Sequence, residues 1–212
     1  MVHADSNGFL EGETKTLYSQ GISMIADDIA HNSKEQFDSK NISRKQTDGW
    51  YSSSRFHKNL TPYMEIVEKA CNRTLRKLGA KKPVSQEVPV IFSSEMAQSF
   101  LSKIASALMG ENIFRKQSFL LNKINETIAN SEINLIDNPL LPGKLGSRHF
   151  DSEGVQAKPL VLIENGLLKN YMLSTYSANK LGMISTGHSG GISNLILKQG
   201  DYSEEELIAS VK

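Results

Sequence analysis

Apolar positions recur at helical spacing in two stretches of the chain. In the first, Thr61-Pro62 begins a helix that Gly79 ends, and the inward stripe consists of Tyr63, Ile66, Val67, Ala70, Thr74, Leu75 and Leu78. In the second, Ser93 caps a helix that runs to about Leu108. Its inward positions are Met96, Phe100, Leu101, Ile104, Ala105 and Leu108.

Short β-prone runs fill much of the remaining sequence. Strands are predicted at Gly21–Asp27, Asp48–Phe56, Val88–Phe92, Ile133–Ile136, Leu160–Glu164, Leu167–Leu173 and Asn194–Leu197. Asn165-Gly166 joins two of them and is the strongest short-range signal for a hairpin. The polar stretch Asn32–Thr47 is an expected exposed connection, and Ser203 begins a short terminal helix. The fold class is therefore α+β, and the strands become increasingly antiparallel along the chain.

The charged, proline-containing segment from Lys81 to Glu87 lacks apolar periodicity, so we predict a domain boundary there. Residues 1–82 are expected to be the C-terminal part of a mixed α/β N-terminal domain. Residues 83–212 are expected to be the first part of a largely antiparallel β C-terminal domain. Both termini look like internal positions of a longer protein.

Composition excludes several classes. A formal net charge of +1 gives no overall attraction to nucleic acid or acidic membranes. The single cysteine, Cys71, rules out an internal disulfide framework and suits a reducing compartment. No apolar run is long enough to span a bilayer, and the first residues do not resemble a signal peptide. A cytoplasmic location without membrane contact is expected.

Gly187–Gly191 has the spacing G-x-S-x-G of a nucleophile elbow, which indicates one alternative, an autonomous serine hydrolase using Ser189. That chemistry needs a helix after the serine and a histidine later in the chain. The residues that follow favour a strand, and no histidine follows His188. A glycine-rich turn between strands is the favoured interpretation.

Other candidate sites have plainer explanations. His149, Asp151 and Glu153 alternate as metal ligands on a strand would, but Asp-Ser-Glu-Gly is more typical of a solvated turn. A basic stripe on the first helix and just after it leaves open a nucleic-acid binding module. Its members are Lys69, Arg73, Arg76, Lys77, Lys81 and Lys82. A solvated helix face is favoured, because no aromatic residues are interleaved for base stacking.

Several segments resemble the PmbA/TldE branch of the TldD/PmbA family, proteins known for peptide maturation or as modulators of DNA gyrase. They are NGFLEG from Asn7, DGWYSSSR from Asp48, FRKQSFL from Phe114, the run from Asp137 to Val155, and the run from Glu164 to Gly191. The resemblance covers essentially the whole chain and is most specific between Asp137 and Gly191. Family members are roughly twice as long, so the chain is similar to their middle. The resemblance also extends the binding-module alternative to a gyrase-associated module that acts through the basic stripe from Lys69 to Lys82.

The resemblance implies a zinc metallopeptidase complex. In TldD-type subunits, an H-E-x-x-x-H motif on a helix supplies two zinc ligands and the general base. Counting back from Arg115, the corresponding positions run from Ser102 to Ala107 and read SKIASA. None can bind zinc or activate water in that manner. The resemblance therefore implies a non-catalytic subunit with no catalytic residue and no metal of its own, paired with a zinc-containing TldD-type subunit that acts on extended peptides.

The family motif also marks a candidate peptide or partner surface. Its members are Asp151, Glu153, Gly154, Tyr176, Gly187 and His188. Where this chain has T-G-H-S, the family more often has T-G-N-A. Asparagine and histidine both tolerate unusual backbone angles and hydrogen-bond locally, so a turn is expected with either residue.

Overall fold

The computed structural model describes residues 2–6, 8–28 and 44–211, so most of the expected connection Asn32–Thr47 lies outside the described residues. The elements, in chain order, are β1 (Val2–Ala4), β2 (Leu10–Gly12), β3 (Tyr18–Asp28), β4 (Arg44–Ser54), a 3-10 turn (His57–Asn59), α1 (Tyr63–Arg76), α2 (Ser94–Leu108), α3 (Gly110–Phe114), β5 (Leu135–Asp137), β6 (Leu160–Glu164), β7 (Leu167–Leu168), α4 (Thr175–Leu181), β8 (Leu195–Leu197) and α5 (Glu204–Ser210). All of the named strand pairs are antiparallel, which confirms the α+β class.

The chain divides into two compact units. The first, called here the hairpin unit, is Lys15–Glu87, and the second, the sheet unit, combines Met1–Thr14 with Val88–Lys212. The first fourteen residues thus belong to the sheet unit by their contacts, whereas the sequence-based division at residue 82 assigns them to the N-terminal domain. Among the described residues, no helix has the length and apolar content needed to cross a bilayer.

The hairpin unit consists of β3, β4 and α1. The two strands pair along their full length, from Tyr18 opposite Ser54 to Asp28 opposite Arg44, and α1 packs against both. Ile66, Ala70 and Thr74 are buried at four-residue spacing, as expected for one helix face. The buried stripe is narrower than predicted, because Tyr63 and Leu75 at its edges are 69% and 56% exposed.

The sheet unit contains a four-stranded sheet in the order β7-β6-β5-β8. The predicted hairpin is confirmed: Asn165 and Gly166 have φ angles of 48° and 77°, which is the left-handed backbone that a type I′ turn requires. Its second strand is shorter than predicted, because β7 ends at Leu168. The core lies between this sheet and helices α2, α3 and α4, and its fully buried members include Leu108, Ile113, Leu135, Leu162, Leu168, Met172 and Leu173.

The start of α2 is confirmed, because the Ser93 hydroxyl accepts a hydrogen bond from the Met96 amide. The strand predicted at Val88–Phe92 is wrong. Those residues have no regular structure and are exposed, and Phe92 instead packs edge-to-face on Phe100 at 4.7 Å between ring centres. A strand needs a partner for its backbone groups, and among the described residues this segment pairs with none.

Helix α4 is not predicted by the sequence pattern. The Ser174 and Ser177 side chains form a capping box at its start, and Gly182 ends it with φ 65°. This short helix matters for the site because its first residues face the loop Gly187–Gly191. The strand predicted at Asn194–Leu197 is confirmed as β8. The terminal helix predicted after Ser203 is confirmed as α5.

Candidate functional site

The buried carboxylate of Asp151 joins the turn 151–155 to the glycine-rich loop 187–191. Its Oδ1 accepts hydrogen bonds from the amides of Glu153 and Val155 at 2.9 and 3.0 Å, and its Oδ2 accepts from the Ser189 amide at 2.9 Å. The side chain is 2% exposed. Asp151 therefore holds two loops together, and its oxygens face backbone amides rather than solvent.

His188 is buried beneath the same loop. Its Nδ1 lies 2.8 Å from the Thr186 carbonyl oxygen, and its Nε2 lies 3.1 Å from Oδ2 of Asp137 on β5. The Asp137 carboxylate also accepts hydrogen bonds from the amide and the hydroxyl of Ser193. Burial disfavours the charged form of Asp137, but the hydrogen bonds from His188 and Ser193 outweigh it, so the Asp137 pKa lies below its ordinary value of 3.8.

The other predicted surface residues lie on the turn and at the start of α4. Glu153 is exposed, and its Oε2 accepts a hydrogen bond of 2.7 Å from the Thr175 amide at the helix N-terminus. Tyr176 is 56% exposed, and its ring meets that of Phe114 edge-on at 5.5 Å. Gly154 and Gly187 both have left-handed backbone, with φ angles of 78° and 71°. These two glycines therefore shape the turns and carry no side chain toward a ligand.

These segments border a cleft of about 520 Å³. It is lined by Met109, Glu111, Asn112, Glu153, Ser174, Tyr176, His188, Ser189, Gly190 and Gly191. Three of the six predicted residues, Glu153, Tyr176 and His188, thus reach one cleft. Two cleft residues were not predicted from the sequence, Glu111 and Ser174. The Ser174 hydroxyl donates a hydrogen bond of 2.8 Å to Glu111 Oε1, although 63 residues separate them. No local motif marks either one.

The geometry around Ser189 does not form a nucleophile elbow. The loop is followed by β8 rather than by a helix, so the strand-to-helix turn is absent from this segment. Both ring nitrogens of the neighbouring His188 are engaged, Nδ1 by the Thr186 carbonyl oxygen and Nε2 by the Asp137 carboxylate, which leaves neither for the Ser189 hydroxyl. The adjacent histidine is therefore not available as the base that the serine-hydrolase alternative needs.

The structure gives no support for a metal at the predicted candidates. Among residues 2–6, 8–28 and 44–211, no group of three or more His, Cys, Asp or Glu side chains is placed to hold an ion. The positions that the resemblance aligns with the family's zinc motif lie on α2, where the Ser102 hydroxyl donates to the Gln98 carbonyl at 2.9 Å. Zinc sites in proteins are built from His, Cys, Asp and Glu side chains. Neither Ser102 nor Lys103 nor Ala107 is one of these, so the three positions do not fit a zinc ion.

Three basic residues of the stripe on and just after α1 contact other residues of the hairpin unit. Lys69 Nζ lies 3.6 Å from the centre of the Trp50 ring, and Arg73 and Lys77 pair with Asp48 at 3.2 and 2.9 Å. The hydrogen bonds from Lys77 and from the Gly49 amide, together with Arg73, lower the Asp48 pKa from 3.8 to about 2. These contacts account for three of the six basic residues without a nucleic acid. Cys71, on the same helix, is half-buried.

Comparison with known proteins identifies the family. Residues 85–212 match the family model described as the PmbA/TldA metallopeptidase C-terminal domain. The chain is 35% identical over 207 residues to the "Metalloprotease PmbA homolog" of Buchnera aphidicola from Acyrthosiphon pisum, covering 98% of this chain and 44% of the relative.

Solved structures agree with the sequence relatives. The chain is similar to a protein of Bacteroides thetaiotaomicron named as a modulator of DNA gyrase, with a TM-score of 0.83 and 35% identity over 98% of this chain and 44% of the other. It is also similar to TldE from Thermococcus kodakarensis, with a TM-score of 0.60 and 28% identity over 79% of this chain and 40% of the other.

The chain thus spans less than half the length of these relatives. The match nonetheless includes the segment Asp137–Gly191, where the resemblance is most specific, together with both units of the fold. The chain belongs to the PmbA/TldD family of metallopeptidases.

Proposed function

We propose that this chain is part of a non-catalytic subunit of the PmbA/TldE type, which pairs with a zinc-containing TldD-type subunit to process unfolded or modified peptides in the cytoplasm. The observation that supports the proposal is the composition of α2, because Ser102, Lys103 and Ala107, which the resemblance aligns with the two zinc ligands and the general base of a catalytic subunit, offer no such groups. Zinc and catalysis are assigned to the partner.

The peptide-holding role is supported by an open strand edge. Among the described residues β8 pairs with β5 alone, so its outer edge has backbone groups available for an added strand. Pairing through backbone hydrogen bonds requires little sequence specificity. An extended peptide that lies along this edge would be presented to the partner without any residue of this chain taking part in cleavage.

Peptide cleavage by a reconstituted pair tests the proposal. The longest natural polypeptide that contains this sequence is assayed on an unstructured fluorogenic peptide, alone and mixed with a TldD-type subunit, with and without a zinc chelator. We expect cleavage in the mixture only, and its loss with chelator, because the metal belongs to the partner.

A Ser189→Ala variant provides the control. It should retain the activity of the mixture, because cleavage is assigned to the zinc of the partner and the His188 ring nitrogens are engaged by Thr186 and Asp137. Chelator-resistant cleavage by this chain alone, abolished in Ser189→Ala, would replace the proposal with the serine-hydrolase alternative.

A further inference from the structure

The hairpin formed by β1 and β2 packs on the segment that adjoins the cleft. Its Phe9 ring meets the buried Phe150 ring edge-on at 5.2 Å between ring centres. The His3 ring lies against both, at 5.5 Å from Phe9 and 6.1 Å from Phe150. Just after β2, Glu13 Oε1 accepts a hydrogen bond of 2.6 Å from the His149 amide. These contacts fix the hairpin and Glu13, together called here the strap, to the segment that begins at His149.

The segment beneath the strap is a tight turn. The Asp151 amide donates to the Val155 carbonyl at 2.9 Å and closes it. Within the turn, Gly154 has φ 78°, and a Cβ added to it would lie 3.1 Å from the Phe9 ring. Glycine therefore serves two purposes here, because it adopts the left-handed backbone and leaves room for the ring. The strap and the turn are in close contact at this glycine.

The same turn holds the glycine-rich loop 187–191. The Ser189 amide donates to Asp151 Oδ2 at 2.9 Å, and the Ser152 amide donates to the Ser189 carbonyl at 3.1 Å. Four residues of this loop, from His188 to Gly191, line the cleft. The turn thus connects the strap to one edge of the cleft.

The strap has little stability of its own. Among the described residues β1 and β2 pair only with each other, over three residues each, and an isolated two-stranded hairpin is marginally stable at best. His3 and Phe9 are half-buried, and the other side chains of the two strands are exposed. Docking on the turn therefore decides whether the strap is ordered. Segments with so few buried contacts open more readily than a buried core does.

We propose that the strap is a conformational device that controls the edge of the cleft. Docked, it holds the turn and thereby loop 187–191 in place; released, it lets that loop loosen. A binding partner that takes up the strap shifts the balance between these two states. By the same linkage, a ligand that needs the loop in its closed position favours the docked strap. The device requires no metal and no catalytic residue in this chain.

Hydrogen–deuterium exchange of the longest natural polypeptide that contains this sequence, read by mass spectrometry, tests the coupling. The amides to follow are those of Val155 and Ser189, which both donate to Asp151. In Phe9→Ala we expect both to exchange roughly fivefold or more faster than in the unmodified protein, because the aromatic contact on the turn is lost. The amides of β6 and β7, which lie in the core of the same unit, should keep their rates.

Two substitutions serve as controls. Phe119→Ala removes the same side chain from a position of the sheet unit that is 72% exposed. Leu10→Ala removes an apolar side chain from the strap itself, where it is 69% exposed. Neither should change the exchange of the Val155 or Ser189 amide.

A second variant tests the contact from the other side. Gly154→Ala pushes a methyl group against the Phe9 ring, so part of its effect should disappear when the ring is absent. We expect it to accelerate exchange of the Ser189 amide more in the unmodified protein than in the Phe9→Ala background.

Unchanged exchange at Ser189 in Phe9→Ala, or an acceleration that spreads equally to β6 and β7, would overturn the proposed control of the cleft edge. Equal effects of Gly154→Ala in the two backgrounds would overturn it as well. The measurement uses neither a peptide nor a TldD-type subunit, so its outcome is independent of the reconstituted peptidase assay.

Discussion

Gly166 and Gly182 have similar backbones but different surroundings. Gly166 has φ 77° and Gly182 has φ 65°, so an alanine at either would be strained. A Cβ added at Gly182 would meet nothing within 4 Å. At Gly166 it would press on the backbone carbonyls of Ala129 and Asn130, with the Asn130 oxygen at 2.7 Å. Any difference between the two alanine variants therefore isolates the effect of close packing.

We expect Gly182→Ala to lower the free energy of unfolding by about 1 kcal/mol, which is the ordinary cost of left-handed backbone. Gly166→Ala should cost several times more, roughly 3 kcal/mol, because rigid backbone must also move. Urea unfolding of both variants, followed by circular dichroism, measures the difference. Equal losses would show that residues 129–130 yield freely to the added methyl group.

Among the elements, one carboxylate joins the second strand of the hairpin unit to its helix. Asp48 on β4 pairs with Arg73 of α1 and with Lys77 directly after the helix, so its charge links the helix to the sheet. The folded-state pKa is depressed to about 2 from 3.8. A depressed pKa means that the stabilisation is fully present above pH 3.8 and is lost as the pH falls toward 2.

Asp48→Asn should therefore destabilise the hairpin unit by at most about 2 kcal/mol at pH 7, and most of the difference from the unmodified chain should be lost by pH 2. Trp50, the only tryptophan, lies two residues away and reports on this unit by fluorescence during urea unfolding. Asp27→Asn is the control, because Asp27 pairs with Lys45 at an exposed site, and it should cost well under 1 kcal/mol. A loss for Asp48→Asn that is the same at pH 7 and pH 2 would contradict the charge argument.

Elements with strong local signals could be predicted from the sequence, and those that depend on distant partners could not. The Asn165-Gly166 turn, α1 and the Ser93 cap follow from neighbouring residues. Val88–Phe92 has the composition of a strand but no partner, whereas α4, with the sequence TYSANKL, is rich in weak helix formers and depends on its capping box. The site shows the same limit: Glu153, Tyr176 and His188 came from one motif, but Glu111 reaches them only through the fold.

At the scale of the whole molecule, the two units differ in their cores. The described side chains buried in the hairpin unit are Asp28, Ile66, Ala70 and Thr74, whereas the sheet unit contains a large apolar cluster around Leu108, Leu162 and Met172. Since apolar burial is the main source of stability, the hairpin unit should be the less stable of the two.

We therefore expect two unfolding transitions in urea, with the Trp50 fluorescence change completed before the far-ultraviolet circular dichroism change ends. Ile66→Ala should shift only the first transition, and Leu162→Ala only the second, each by about 2 to 4 kcal/mol. A single transition shared by both signals and moved by either variant would show that the chain unfolds as one cooperative body.

The hairpin turn at Asn165-Gly166 also determines how the protein ages chemically. Deamidation at such a pair begins when the glycine amide nitrogen attacks the asparagine side chain. Here that amide donates to the Ile133 carbonyl at 3.0 Å, and the Gly166 carbonyl accepts from Ile128 and Ala129. The reaction must wait for these bonds to open. The fraction of deamidated Asn165 in an old preparation is thus a cumulative record of the time this hairpin has spent open.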